Sequence, residues 1–176
     1  MGMPLKLSSK NHIIGSLERV VIEMNIYKSV VDEKILCDFS KIRGRTLINH
    51  VANSYNIEMA IGFASLFCPE VVEVDGCIFI SEFYNDDIQE LKKIYKTTKE
   101  IEMFVNSWSL TSLVKDCDEL DYSVNYIDEF AKAIQYFWQM RMNLLFPNKN
   151  IIVEIGDGIM GEQGVTVTLY QECIGA

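Results

Sequence analysis

Two periodicities alternate along the chain, one near 3.6 residues and one of two, and they divide it into helical and extended segments. Leu17, Val20, Val21, Met24, Tyr27 and Val31 recur at helical spacing, and Ser16 stands where it would cap a helix over 17–31. A strand over Arg19–Ile26 fits the same residues, and Lys34–Phe39 reads as a short strand. Leu47, Ile48 and Val51 make Thr46–Ser54 helical. Asn56 is placed to cap a further helix that runs to Phe67 and stops before Pro69. Asp87–Tyr95 and Thr98–Trp108 follow as helices, the second introduced by Thr97 and Glu100 at capping-box spacing. The longest apolar stripe runs from about Val124 to Phe146 through Ile127, Phe130, Ala131, Ile134, Phe137, Trp138, Met142 and Leu145. Tyr126, Ala133 and Met140 widen it, which predicts burial on more than one side and a helix central to the packing. Pro147 ends that helix.

The period of two appears in two places. Val71–Val74 and Cys77–Ile80 flank Asp75-Gly76, a dipeptide that favours a two-residue hairpin turn. Ile151–Ile155 and Val165–Tyr170 form a second pair of runs, and the latter alternates residue by residue, as a half-buried antiparallel strand should. The expected architecture is therefore one α+β domain over residues 1–176. It has an antiparallel sheet of four or more strands, built from the 70–80 and 151–170 hairpins. Helices pack on one face, with the 124–146 helix central. Residues 1–12 read as a flexible N-terminal tail. Only three prolines and no low-complexity run break the chain, so no linker is expected.

Charge changes this picture by its distribution. Residues 1–50 hold eight Lys/Arg and five Asp/Glu, a net +3; residues 51–176 hold eight and twenty, a net −12. An acidic surface favours basic partners and disfavours nucleic acid and anionic membrane. The longest apolar stretch, near Ala60–Cys68, falls far short of the ~18 residues of a membrane span. The N-terminus shows no long apolar run of the kind a secretory signal carries. Cys37, Cys68, Cys77, Cys117 and Cys173 are odd in number and widely spaced, which reads as reduced thiols in a cytoplasmic protein. Cys68 and Cys77 read as small buried apolar residues.

Candidate chemistry is thin. Gly156, Gly158 and Gly161 match the spacing of a dinucleotide-binding loop after a strand, but Glu162-Gln163-Gly164 and another strand follow where a helix must begin. A glycine-rich hairpin loop fits better. Asp116, Asp118, Glu119 and Asp121 lack the glycine and the alternate oxygen ligands of a calcium loop, since Leu120 takes one ligand position. No metal and no cofactor are expected. His12 and His50 have no visible catalytic partner, and no nucleophile, phosphate-loop or zinc motif occurs. Glu73 and Glu154 form a pair that would suit acid–base work if neighbouring strands brought them together. Trp108 and Trp138 are candidates to line a pocket. Lys92, Lys93, Lys96 and Lys99 read as a solvated helix face, and Lys41, Arg43 and Arg45 as a basic group paired with acids of the same chain.

The stretches CPEVVEVDGCIFI, EIEMFVNSW, FWQMRMNLLFPNKNIIVEI and VTVTLYQ resemble segments of small acidic bacterial proteins, and cover about a third of the chain. In size, acidity and lack of catalytic motifs the chain is similar to immunity proteins encoded beside secreted toxins. That resemblance implies a role and no residues, because the class spans many folds. The expected function is a non-catalytic acidic protein that neutralises a basic toxin, a nuclease, through Asp86, Asp87, Asp116, Asp118, Glu119, Asp121, Asp157 and Glu162. The competing readings are a small-molecule-binding protein or enzyme with a pocket between sheet and central helix, a homodimer formed through an exposed hairpin edge, and an acidic mimic of nucleic acid.

Overall fold

The computed structural model of the chain describes residues 29–31, 47–54, 56–85, 87–111 and 124–172. The elements expected over 17–28 and 34–39 lie outside the described residues, and residues 29–31 are not helical. In chain order the elements are α1 (Leu47–Ser54), α2 (Ile57–Phe67), β1 (Val71–Val74), β2 (Cys77–Ile80), α3 (Ile88–Ile94), α4 (Thr98–Asn106), β3 (Trp108–Ser109), α5 (Val124–Leu145), β4 (Ile151–Asp157) and β5 (Val165–Gln171). No helix among the described residues is long and apolar enough to cross a membrane.

The local signals act where they stand. Asn56 accepts from the Met59 amide at the start of α2, and Asp87 accepts from the Gln89 amide at the start of α3. Thr97 and Glu100 close a reciprocal capping box on α4. Asp75 and Gly76 take φ values of 50° and 83°, and the turn brings Val74 opposite Cys77. The Trp108 end of the fourth helix differs from expectation: α4 stops at Asn106, and Trp108 and Ser109 become a short strand opposite Val167 and Thr166. An edge of β5 takes them up, which a local helical pattern does not register.

The strands form two sheets rather than one of four or more: β1-β2, and β3-β5-β4, all antiparallel. α4 stands between them. Its Glu102 and Asn106, both fully buried and one turn apart, fill the gap between β2 and β5. Glu102 Oε1 accepts from the Ile78 amide at 2.7 Å, and Oε2 accepts from the Gln171 amide at 2.6 Å. Asn106 Oδ1 accepts from the Ile80 amide at 2.9 Å, while its Nδ2 donates to the carbonyls of Ile78 at 2.9 Å and Leu169 at 3.1 Å. Two side chains thus hydrogen-bond strand-edge groups that a neighbouring strand would otherwise take. α5 treats the outer edge of β4 the same way. Gln139 donates to Ile151 O at 2.7 Å and accepts from the Val153 amide at 2.9 Å, and Gln135 donates to Val153 O at 2.8 Å.

Core packing follows from these two seams. Ile78, Ile80, Val153, Val167 and Leu169 meet Ala131, Ile134, Trp138 and Met142 of α5. The opposite face of β2, Cys77 and Phe79, meets Ile88 and Leu91 of α3 and Ile101 and Val105 of α4. Both faces of β5 are therefore covered. Thr166, Val167, Thr168, Leu169 and Tyr170 are all buried, where the alternation predicts a half-buried strand. Thr168 survives burial by donating its hydroxyl to Met103 O of α4 at 3.3 Å. On α5, Trp138 is fully buried, but Phe137, Met140 and Leu145 stay exposed, so its stripe is wider than the surface it covers. Cys77 is buried as expected; Cys68 is exposed instead, beside the Arg141 guanidinium.

The seam sets two expectations. Removing Asn106 leaves three edge groups without their partner, so Asn106→Ala should cost on the order of 3 kcal/mol in chemical denaturation. Burial pushes the Glu102 carboxyl above the ordinary carboxylate value, and the donors from Gln171 and Ile78 offset this only in part. The resulting stabilisation is complete below the ordinary value and is lost as pH rises through the raised one. Glu102→Gln sets an amide donor against the donating Gln171 amide, so it should be less stable than wild type throughout. The gap should narrow as pH rises through that window, and a gap independent of pH would contradict the assignment.

Candidate functional site

A cleft opens where the C-terminal end of α2 meets the β1–β2 hairpin. Its volume is about 570 Å3, within the range of small-ligand sites. Leu66, Pro69, Ile80, Phe83, Trp108 and Trp138 form its apolar wall, and Ser65, Glu70, Ser81 and Glu82 supply its polar groups. Each wall residue is held for a structural reason. The Trp138 indole donates to Leu66 O at 2.8 Å, which ties the end of α2 to α5. Arg141 Nε donates to Pro69 O at 2.7 Å. Ser81 Oγ donates to Glu70 Oε1 at 2.9 Å, and the Ser81 amide donates to Glu70 O, extending the hairpin. Phe83 meets Trp108 with ring centroids 6.0 Å apart and tilted by 49°. Trp108 reaches the cleft because α4 ends at Asn106 and hands the chain to β5.

Register places the cleft at one end of the molecule, and charge is sorted along that axis. Trp108 opposes Val167, two residues from the Val165–Asp157 pair that closes the β4–β5 loop, and Ser109 Oγ donates to Gln163 O within that loop. The segment 81–83 and the loop 157–164 therefore share an end, with Glu82, Asp157 and Glu162 exposed upon it. α3 starts there with exposed Asp87 and runs away from it, since Lys92 pairs with Asp75 in the distant hairpin turn. α5 runs antiparallel to β4, as Gln135 bonds Val153 and Gln139 bonds Ile151, so Asp128 and Glu129 lie toward the Asp157 end. Lys92, Lys99 and Lys149 lie toward the opposite end, whereas Lys132 pairs with Glu129 near the acidic one. Lys99 pairs with Glu172 at 3.4 Å and Lys149 with Glu73 at 2.8 Å, close to where Gln171 Nε2 donates to Gly76 O.

The predicted residues fare differently. Asp87, Asp157 and Glu162 lie toward this one end, whereas Asp86, Asp116, Asp118, Glu119 and Asp121 fall outside the described residues. Glu73 and Glu154 belong to different sheets. Glu73 pairs with Lys149, and Glu154 accepts from the Tyr170 hydroxyl at 2.8 Å, so nothing joins them as an acid–base pair. Lys99 Nζ lies 4.1 Å from the centre of the Tyr170 ring, and burial pushes that phenol up. Glu70, Ser81 and Phe83 are missed by sequence reasoning; no motif marks them, and only folding sets them beside Glu82 and Trp108. The glycine string is a hairpin loop, with Gly158, Gly161 and Gly164 at φ of 67°, 87° and 70° and no helix beyond one short turn. No group of three or more metal-ligating side chains occurs among the described residues.

No protein-family model, no curated protein and no solved structure matches this chain. The site must be read from its own residues.

The loop that carries Asp157 and Glu162 depends on a close approach at Gly164. A Cβ there would stand 2.4 Å from Thr111 Oγ1, on a backbone that already needs positive φ. Gly164→Ala should therefore lower stability by at least about 1 kcal/mol in thermal melting.

Proposed function

We propose that the protein is a non-catalytic acidic binder that neutralises a basic protein partner, a bacterial toxin of nuclease type, as its cognate immunity protein. The observation that carries this reading is the sorting of charge. Glu70, Glu82, Asp87, Asp157 and Glu162 are exposed toward the end that opens the cleft, while Lys92, Lys99 and Lys149 are occupied by acids of the same chain at the other. A field of one sign concentrated at one end steers an oppositely charged partner and selects against partners of like charge. The charge sum of −9 extends the same preference to long range. The aromatic cleft at that end supplies what charge alone lacks, a concave apolar site where binding energy concentrates.

The test begins with tagged protein offered to a lysate of its source at low salt and eluted with a salt gradient. A stoichiometric basic protein should elute late, and adding the binder in a one-to-one ratio should abolish that protein's nuclease activity. Replacing Asp87, Asp157 and Glu162 by their amides should slow association several-fold and flatten its salt dependence. A captured protein whose activity is untouched would overturn the reading. Retention of a small molecule in the cleft, with no basic protein bound, would move the assignment to a ligand-binding protein.

A further inference from the structure

We propose that the cleft is the seat of a single arginine side chain presented by the partner protein, an inference that rests on reading the molecule as a binder of a basic protein. The chemistry of the walls selects this occupant. Phe83 and Trp108, whose ring centroids lie 6.0 Å apart at a tilt of 49°, line the cleft with Trp138, and Glu70 and Glu82 line the same space. Neither carboxylate makes an ion pair with a described residue, and no Lys or Arg occurs among the described lining residues.

An apolar occupant would strip water from two carboxylates and return nothing. An anion would be repelled by both. A lysine ammonium would satisfy the charge but keeps its tight hydration shell. Guanidinium meets every demand at once: its plane stacks on an aromatic face, its donors fork onto a carboxylate, and its methylene stem covers apolar wall. The cleft volume of about 570 Å3 is ample for that side chain. Ser81 adds specificity by holding Glu70, since its hydroxyl donates to one carboxylate oxygen at 2.9 Å and so orients the group.

The source is a protein chain rather than free arginine. The proposed role as a binder of a basic protein names that source; the free amino acid differs by an α-carboxylate and an α-ammonium whose charges offset, and the titration separates the two.

The experiment titrates the full chain with three probes while following the indole N–H signals of Trp108 and Trp138 by NMR. The probes are N-acetyl-arginine N-methylamide, its neutral citrulline counterpart, and free L-arginine. The blocked arginine should shift the Trp108 signal saturably. The citrulline compound should bind about tenfold more weakly, and free arginine no more tightly than the blocked compound. Trp138 also lines the cleft, but its N–H is bonded to Leu66 O, so its signal reports whether that tie survives ligand binding. The Glu70→Gln, Glu82→Gln double variant should lose about tenfold in blocked-arginine affinity, with thermal melting and citrulline binding unchanged.

Equal binding of arginine and citrulline compounds, or no Trp108 response, overturns the proposal. Tighter binding of free arginine overturns it in favour of a metabolite site. The two levels fail separately. A captured basic toxin whose affinity ignores the double variant removes the cleft from the interface and leaves the neutralising role standing. Blocked-arginine binding without any basic partner removes the role and leaves the pocket.

Discussion

Backbone groups at a buried strand edge must be hydrogen-bonded, and this fold meets that demand with helix side chains instead of further strands. Glu102 and Asn106 on α4 occupy the gap between β2 and β5; Gln135 and Gln139 on α5 occupy the outer edge of β4. In both cases a pair spaced four residues apart projects from one helical face. Both helices are thereby fixed against strand edges as well as against sheet faces. The Glu102 carboxylate is costly to bury, and it is retained with acceptors committed to Ile78, to the Gln171 amide and to Gln171 Nε2. Such a seam needs all of its members at once, because a half-bonded buried network is worse than none.

The rest of the molecule is arranged from that seam. With α4 lodged between the sheets, the chain leaves Asn106 directly onto β5, and Trp108 arrives beside Phe83. The hairpin is held on both faces, by α5 through Ile78 and Ile80 and by α3 and α4 through Cys77 and Phe79. The cleft is the space left where the hairpin, α2 and β3 converge. The same order of strands sends the β4–β5 loop and the start of α3 to the cleft end, and the lysines of α3, α4 and the α5–β4 connection to the other. A charge axis thus arises from topology acting on a chain whose acids and bases are mixed along much of its length.

Function, on this reading, is recognition rather than turnover. In the proposed role, exposed carboxylates at one end would provide range and selectivity, and the aromatic cleft would seat one partner side chain. The edges of β2 and β4 that face α4 and α5 are engaged by side chains, which favours recognition through the cleft end over strand pairing along those edges.

Local chemistry was legible in the sequence by itself. The caps at Asn56, Asp87 and Thr97, the Asp75-Gly76 turn, the long helix up to Pro147 and the second hairpin all follow from interactions spanning a few residues, so short-range pattern suffices. The α+β class and the loop nature of the glycine string follow for the same reason. The separation into two sheets did not, because a sheet's extent depends on which edge groups find partners, and here the partners are side chains lying 24 to 69 residues away. The end of α4 at Asn106 was hidden likewise: β5 competes for Trp108, and β5 lies about sixty residues on in the chain. The cleft was illegible throughout, since Glu70, Ser81, Glu82 and Phe83 carry no motif and join Trp108 and Trp138 only through long-range packing. The sequence by itself determined the elements, their turns and the excess of acid. Tertiary structure alone decided that Glu70, Glu82, Asp87, Asp157 and Glu162 lie toward one end with an aromatic pocket, because strand order and helix direction place charge in space.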